Sequence, residues 1–161
     1  MSRLMPEVRT ATAADAAAVA AMLWDFNTEF ETPVPPVEEL TDRVRAKLAD
    51  GSIRVLLAGD GPDGLALTVE RPSVWYDGPV VMLEELYVRP ALRDQGLGTA
   101  LITRLVADAE DRGAGMVEIG VDEPDVDALR FYLRHGFTQS DPITGERAFY
   151  IWRELGEEQP R

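Results

Sequence analysis

Val81-Met82-Leu83-Glu84-Glu85-Leu86-Tyr87-Val88-Arg89-Pro90-Ala91-Leu92-Arg93-Asp94-Gln95-Gly96-Leu97-Gly98-Thr99-Ala100-Leu101 sets the architecture of this chain. It opens as an apolar, β-branched strand and stops at Pro90, which has no amide hydrogen to give a ladder. A polar turn carries Arg93, Asp94 and Gln95. Gly96 and Gly98 then open a helix whose Leu97, Leu101, Leu105 and Ala109 recur at helical spacing. The start of a helix presents free amides and a partial positive charge. Glycine there lets backbone approach an anion with no Cβ in the way. Strand, glycine-bearing turn and helix together make a phosphate cradle. It is not a P-loop, which needs Gly-Lys-Ser/Thr. It is not the dinucleotide fingerprint either, because the third glycine of that motif would fall on Leu101.

The 161 residues amount to one domain by size, and an apolar share of 45% suffices for a core. The absence of cysteine excludes disulfides, cysteine–metal sites and a cysteine nucleophile, and a single histidine excludes a histidine-rich metal site. The net charge of −13 argues against nucleic acid or an anionic membrane as partner and favours cations. The longest apolar run, residues 16–24, is too short to span a bilayer. Glu7, Arg9 and Asp15 interrupt the pattern of a signal peptide. A soluble, cytoplasmic protein is expected.

Residues 7–11 suit a first strand, and residues 1–5 read as frayed. Thr12 with Asp15 resembles a capping box. The helix after it puts Val19, Met22, Leu23, Phe26 and Phe30 on one face, until Thr32-Pro33-Val34-Pro35-Pro36 breaks it. A second helix is expected over Val37–Asp50, with Gly51 as its stop. Residues 52–58 and 65–70 read as strands around a glycine-rich hairpin turn. Residues 71–79 form a loop carrying Trp75 and Tyr76. After the central strand and helix come a strand at 116–121 and a helix at 125–135. A strand from Phe137, a turn at 141–145 and a returning strand at 148–152 complete the order, and residues 156–161 read as a disordered tail. The first strands are joined by hairpins and should be antiparallel. The connection from Val81 to Val121 should be a parallel crossover. The class is mixed α/β.

Arg93-Asp94-Gln95-Gly96-Leu97-Gly98, placed after a strand ending Leu86-Tyr87-Val88-Arg89-Pro90, resembles the GNAT superfamily of acetyl-CoA-dependent N-acetyltransferases. The order of elements along nearly the whole chain is similar too. The resemblance implies one domain, residues 1–161, with the GNAT acyl-CoA N-acyltransferase fold. That fold is a mixed, mostly antiparallel sheet of six to seven strands with helices on both faces. It implies that Arg93, Asp94, Gln95, Gly96, Leu97, Gly98 and Thr99 bind the diphosphate of coenzyme A. It implies that the backbone of Leu86, Tyr87 and Val88 binds pantetheine and polarises the thioester carbonyl. A homodimer is common in this group. Asp125-Val126-Asp127-Ala128-Leu129-Arg130-Phe131-Tyr132, followed by Gly136-Phe137, resembles the second signature of the family. It implies coenzyme contacts from Asp125, Ala128 and Tyr132, with Tyr132 beside the sulfur as general acid. Asp125 stands where asparagine is usual, and a carboxylate accepts hydrogen bonds but cannot donate them.

Attack by an amine on a thioester needs no nucleophilic residue, which fits the missing cysteine and direct transfer in a ternary complex. A lysine-like amine, with a pKa of about 10.4, must first lose a proton at a cost of roughly 4–5 kcal/mol near pH 7. The carbonyl oxygen needs a fixed donor and the thiol an acid. Glu84 and Glu85 are adjacent acids inside an apolar strand, an unfavourable placement unless the stretch is exposed, the pair is answered by arginine, or a carboxylate beside a cleft takes the amine proton. Leu83-Glu84-Glu85-Leu86-Tyr87-Val88 resembles the spermidine/spermine (diamine) acetyltransferase branch. The glutamate which that branch uses for the substrate amine maps to Glu84, which makes Glu84 the first choice and Glu85 the second. Side chains alternate along a strand, so one of the two should face the amine unless a bulge intervenes. Trp24, Asp25, Glu29, Trp75, Tyr76 and Glu84 are candidates to line the pocket of a cationic acceptor. The expected function is transfer of acetyl from acetyl-CoA, with no metal, to a polyamine, an amino-acid-like amine or an aminoglycoside. The alternatives are a protein lysine or N-terminal acetyltransferase, and a noncatalytic acyl-CoA-binding module.

Overall fold

The computed structural model describes residues 4–156. Residues 1–3 of the expected frayed start and 157–161 of the expected tail lie outside them. The chain divides into two compact units, Met1–Ile119 and Gly120–Arg161.

Among the described residues the first unit holds five strands and three α-helices in the order β1 (Val8–Thr10), α1 (Ala16–Glu29), α2 (Val37–Asp50), β2 (Arg54–Ala58), β3 (Gly64–Arg71), β4 (Val80–Val88), α3 (Leu97–Asp111) and β5 (Met116–Ile119). The sheet keeps sequence order, β1-β2-β3-β4-β5. Neighbours are antiparallel up to β4. Strands β2, β3 and β4 follow one another as hairpins, whereas β1 reaches β2 through α1 and α2 and not through the hairpin expected of it. Strand β5 runs parallel to β4 after the helical crossover. Helix α2 has the bounds expected for it, and Gly51 closes it at φ 77°, a conformation glycine adopts without strain. At the start of α1 the Asp15 carboxylate accepts from the Thr12 amide at 2.9 Å and pairs with Arg9 through both oxygens.

Alternation along the strands sorts the core into two layers. Val55, Leu57, Leu65, Leu67 and Tyr87 pack with Val19, Met22 and Leu23 of α1 and Val44 of α2. Leu56 and Ala66 point the other way, where α3 lies across β2, β3 and β4. Leu101 and Ile102 of α3 are completely covered. Helices therefore clothe both faces of the sheet.

Among its described residues the second unit holds one helix, α4 (Val126–Arg134), capped by Asp125, whose carboxylate accepts from the Ala128 amide at 3.1 Å. The expected strands after Phe137 and over 148–152 are not formed among the described residues, so the sheet has five strands rather than six to seven. The turn between them does form: the Asp141 side chain accepts from the amides of Ile143 and Thr144 at 2.7 and 2.9 Å. A turn is satisfied by its own residues, whereas strand propensity largely measures packing against a neighbour. Phe149, Tyr150, Ile151 and Trp152 accordingly stand exposed. Among the described residues no helix is long and apolar enough to cross a membrane.

Candidate active site

The turn between β4 and α3 is shaped by its backbone. Pro90–Leu92 form one 3-10 turn, and Asp94 and Gly96 then take φ of 62° and 88°. Aspartate is among the few non-glycine residues that enter this left-handed region. The first bond of the α3 ladder is Ala100 N–H to Gly96 O at 2.9 Å. The amides of Leu97, Gly98 and Thr99 therefore precede the ladder and have no place in it. A Cβ added at Gly96 would meet nothing within 4 Å, so space lies open beside these donors. Open space, free amides and the positive end of a 15-residue helix fit a diphosphate.

Halfway along β4 the register with β3 slips. Leu83 pairs with Thr68, Glu85 with Leu67, and Glu84 has no partner of its own. This is a β-bulge, and it reverses which face the later residues take. Leu83 shares the face of Thr68, under α3. Glu85 shares the face of Leu67, and so does Tyr87 beyond it, in the layer beneath α1 and α2. Glu84 is left exposed and Glu85 is half-buried. Burial, reinforced by the neighbouring charge of Glu84, pushes the Glu85 carboxyl up to about 7. Among the described residues no lysine or arginine offsets that charge.

The pairing of β4 with β5 ends at Leu83 opposite Ile119. From Glu84 to Val88 that edge of β4 runs on past the strand beside it. Backbone donors and acceptors of this half-strand are what an extended amide chain can pair with.

The acids of α1 are placed differently. Glu29 grips Arg93 through both carboxylate oxygens at 2.8 Å, and Asp25 lies 3.4 Å from Arg89. Arg93 also donates from Nε to the Val88 carbonyl at 2.9 Å and lies over the Tyr87 ring, 5.8 Å from its centre. Phe26 of α1 meets the same ring edge-on at 5.2 Å. Arg89 carries weight that the sequence reading did not give it. Its amide and guanidinium tie to the carbonyls of Asp63 and Pro62. A signal was present: Asp25 and Glu29 are four apart, and so are Arg89 and Arg93.

Trp75 and Tyr76 sit at the opposite end of β4. Gly115 has no room for a Cβ against the Tyr76 ring, and its amide bonds to the Pro79 carbonyl at 3.0 Å, which fixes the loop to the α3–β5 turn. Nine residues of strand at about 3.3 Å each span roughly 26 Å, so these aromatics are not brought together with Asp25 and Glu29. Trp75 is 86% exposed, and Trp24, on α1 beside Asp25, is 37% exposed. A groove of about 400 Å³, lined by Glu70, Arg71, Asp77 and Gly78 among others, also lies at this far end.

In the second unit Tyr132 is buried on α4, its ring edge-on to Phe131 and to Phe137 at 5.3 and 5.6 Å. Ala128 and Asp125 lie one and two turns before it, joined by the cap. His135 holds the Phe131 carbonyl through Nδ1 at 2.7 Å, a helix-end contact.

A family model described as Acetyltransferase (GNAT) family matches residues 18–137. An uncharacterised N-acetyltransferase of Methanocaldococcus jannaschii is 36% identical over 41% of this chain, and the match spans 29% of that protein. A thialysine N-epsilon-acetyltransferase of Caenorhabditis elegans is 27% identical over 78% of this chain and 79% of its own length. A crystal structure of a candidate acetyltransferase from Arthrobacter sp. FB24 superposes with a TM-score of 0.87 at 49% identity, covering 96% of this chain and 98% of that one.

Proposed function

Because the chain belongs to the GNAT acetyltransferase family, we propose that it moves the acetyl group of acetyl-CoA directly to the primary amine of a small cationic acceptor, with Glu85 as the general base. The observation that carries this reading is the half-buried Glu85 on the face of α1, raised to about 7 with no cation against it. A carboxylate in that state suits proton removal near neutral pH, where base strength and ionised fraction are best balanced. Glu84, exposed at the bulge, is the lesser choice, although its charge helps to attract an ammonium ion.

The coenzyme supplies an activated acyl group as a thioester. The amides of Leu97, Gly98 and Thr99 hold its diphosphate, and the half-strand of β4 beyond Leu83 aligns the extended pantetheine. An amide of that half-strand, within Leu86 to Val88, gives a fixed donor to the carbonyl oxygen as it gains charge. Glu85 takes the proton of the attacking ammonium, directly or through water. Tyr132 gives a proton to the departing thiol. Its support is the Phe131-Tyr132 signature with Gly136-Phe137 behind it, together with its burial among aromatic edges. Asp125 serves as the cap of α4, a role that needs an acceptor and that aspartate fills as well as asparagine. Asp25 and Glu29, already engaged with arginines, are weaker acceptor ligands than the sequence suggests.

The test is release of coenzyme A thiol from acetyl-CoA against a panel of polyamines, lysine-like amines and aminoglycosides. Turnover with at least one primary amine is expected. Binding heat with coenzyme A and no turnover on any amine, including peptide lysines, would favour the binding-module reading instead.

A further inference from the structure

We infer that Arg93, the one cation inside the diphosphate turn, is a positioning residue rather than a phosphate ligand, and that Glu29 of α1 is the partner that sets it. This rests on the reading that the turn takes a diphosphate. An arginine in a phosphate loop ordinarily suggests a guanidinium aimed at the anion. Here the fork is spent elsewhere: Nη1 and Nη2 each donate to a Glu29 oxygen at 2.8 Å, and Nε donates to the Val88 carbonyl at 2.9 Å. The guanidinium lies over Tyr87, whose ring packs against Phe26 of α1. Three of the five N–H donors and one face are therefore engaged, so neither paired edge of the guanidinium is left to grip an anion bidentately.

The turn has a reason to need such a clamp. Asp94, the next residue, is held at φ 62°, and a non-glycine residue stays in that region only when its surroundings hold it there. Arg93 ties the entry of the turn to the last carbonyl of β4 on one side and to the end of α1 on the other. The pair is part-exposed, at 39% and 30% for the two side chains, and pairs of that exposure add little to overall stability. Its value lies in geometry. It presets the backbone that presents the Leu97, Gly98 and Thr99 amides, which lowers the ordering cost of binding.

The two roles predict opposite signs. If Arg93 were a phosphate ligand restrained by Glu29, Glu29→Gln would free a cation and remove an anion beside the diphosphate, and coenzyme would bind more tightly. As a clamp, Glu29→Gln loosens the turn and coenzyme binds more weakly. Arg93→Lys keeps the charge but cannot hold two carboxylate oxygens and a carbonyl in one plane. The experiment is calorimetric binding of coenzyme A to the wild type, Glu29→Gln and Arg93→Lys. It is accompanied by KM values for acetyl-CoA and for acetyl-pantetheine, which lacks the diphosphate, and by thermal melts as a folding control. Both variants should weaken coenzyme A by about tenfold and raise KM for acetyl-CoA well beyond any change in KM for acetyl-pantetheine. Equal or tighter binding in Glu29→Gln, or wild-type affinity in Arg93→Lys, overturns the assignment while leaving the cradle standing. Weakening that appears equally with acetyl-pantetheine overturns it too, because the effect would not pass through the diphosphate turn. No heat from coenzyme A with the wild type would remove the cradle itself and this role with it.

Discussion

The bulge in β4 and the turn that leaves the end of β4 treat charge in opposite ways. At the bulge, Glu85 is drawn into the layer beneath α1 with only another carboxylate beside it. At the turn, Arg89 and Arg93 meet Asp25 and Glu29, so each of these charges has its opposite within 3.4 Å. Paired charge fixes geometry and leaves ionisation settled: Glu29 keeps Arg93 firmly protonated. Unpaired, half-buried charge leaves a group free to exchange a proton near neutral pH. One short stretch of chain thus carries a half-buried carboxyl with no cation and a rigid, ion-paired turn, and the bulge creates the first.

Glu85→Gln puts this contrast to its severest test. The rate at pH 7.5 should fall by about 10²–10³-fold, within the range for loss of a general base. The acid limb of kcat/KM near pH 7 should disappear with it, as a steady-state pH profile would reveal. An unchanged profile would leave Glu85 as a mere structural oddity. Tyr132→Phe should lower kcat by about 10- to 100-fold with coenzyme affinity almost untouched, measured by turnover and calorimetry side by side. Gly96→Ala tests the rigid end. Forcing a Cβ into φ 88° costs about 1–2 kcal/mol, so the protein should melt several degrees lower and bind coenzyme more weakly.

A subtler effect of Glu85→Gln concerns stability. The folded-state pKa of Glu85 lies above its ordinary 4.5, so the protonated group is the one that the folded state tolerates. That contribution is complete below about 4.5 and is lost as pH rises through about 7. The glutamine variant should therefore melt higher than wild type at pH 8 and no higher at pH 4, by calorimetry at both values. The smallest effect belongs to Glu84→Gln, whose cost to stability should stay within about 0.5 kcal/mol, as for other exposed positions. Its signature is directional: removing the neighbouring anion should slide the acid limb to lower pH rather than erase it.

Much of this was legible in the sequence because it is local. The cradle follows from Pro90, Gly96, Gly98 and the leucine spacing of α3, all within one stretch of chain, and periodicity and glycine chemistry act over a few residues. The hairpins of β2 to β4, the bounds of α2 and the turn at Asp141 are local in the same sense. Alternation alone left Glu84 and Glu85 undecided, since it cannot see a bulge that exists only against β3. Asp25 and Glu29 read as free acids: their spacing matches that of Arg89 and Arg93, 64 residues on, but only the fold sets the two pairs opposite each other.

From the order of residues alone it follows that a strand delivers the chain into a glycine-bearing turn and a helix start with free amides, and that two acids interrupt the strand. Three features waited on the folded molecule: which acid turns inward, that Arg89 and Arg93 are spent on α1, and that 148–152 forms no strand among the described residues. The physical reason is common to all three. Backbone conformation within a segment answers to its own residues, whereas register, ion pairing and strand partnership are set by whichever distant surface lies opposite.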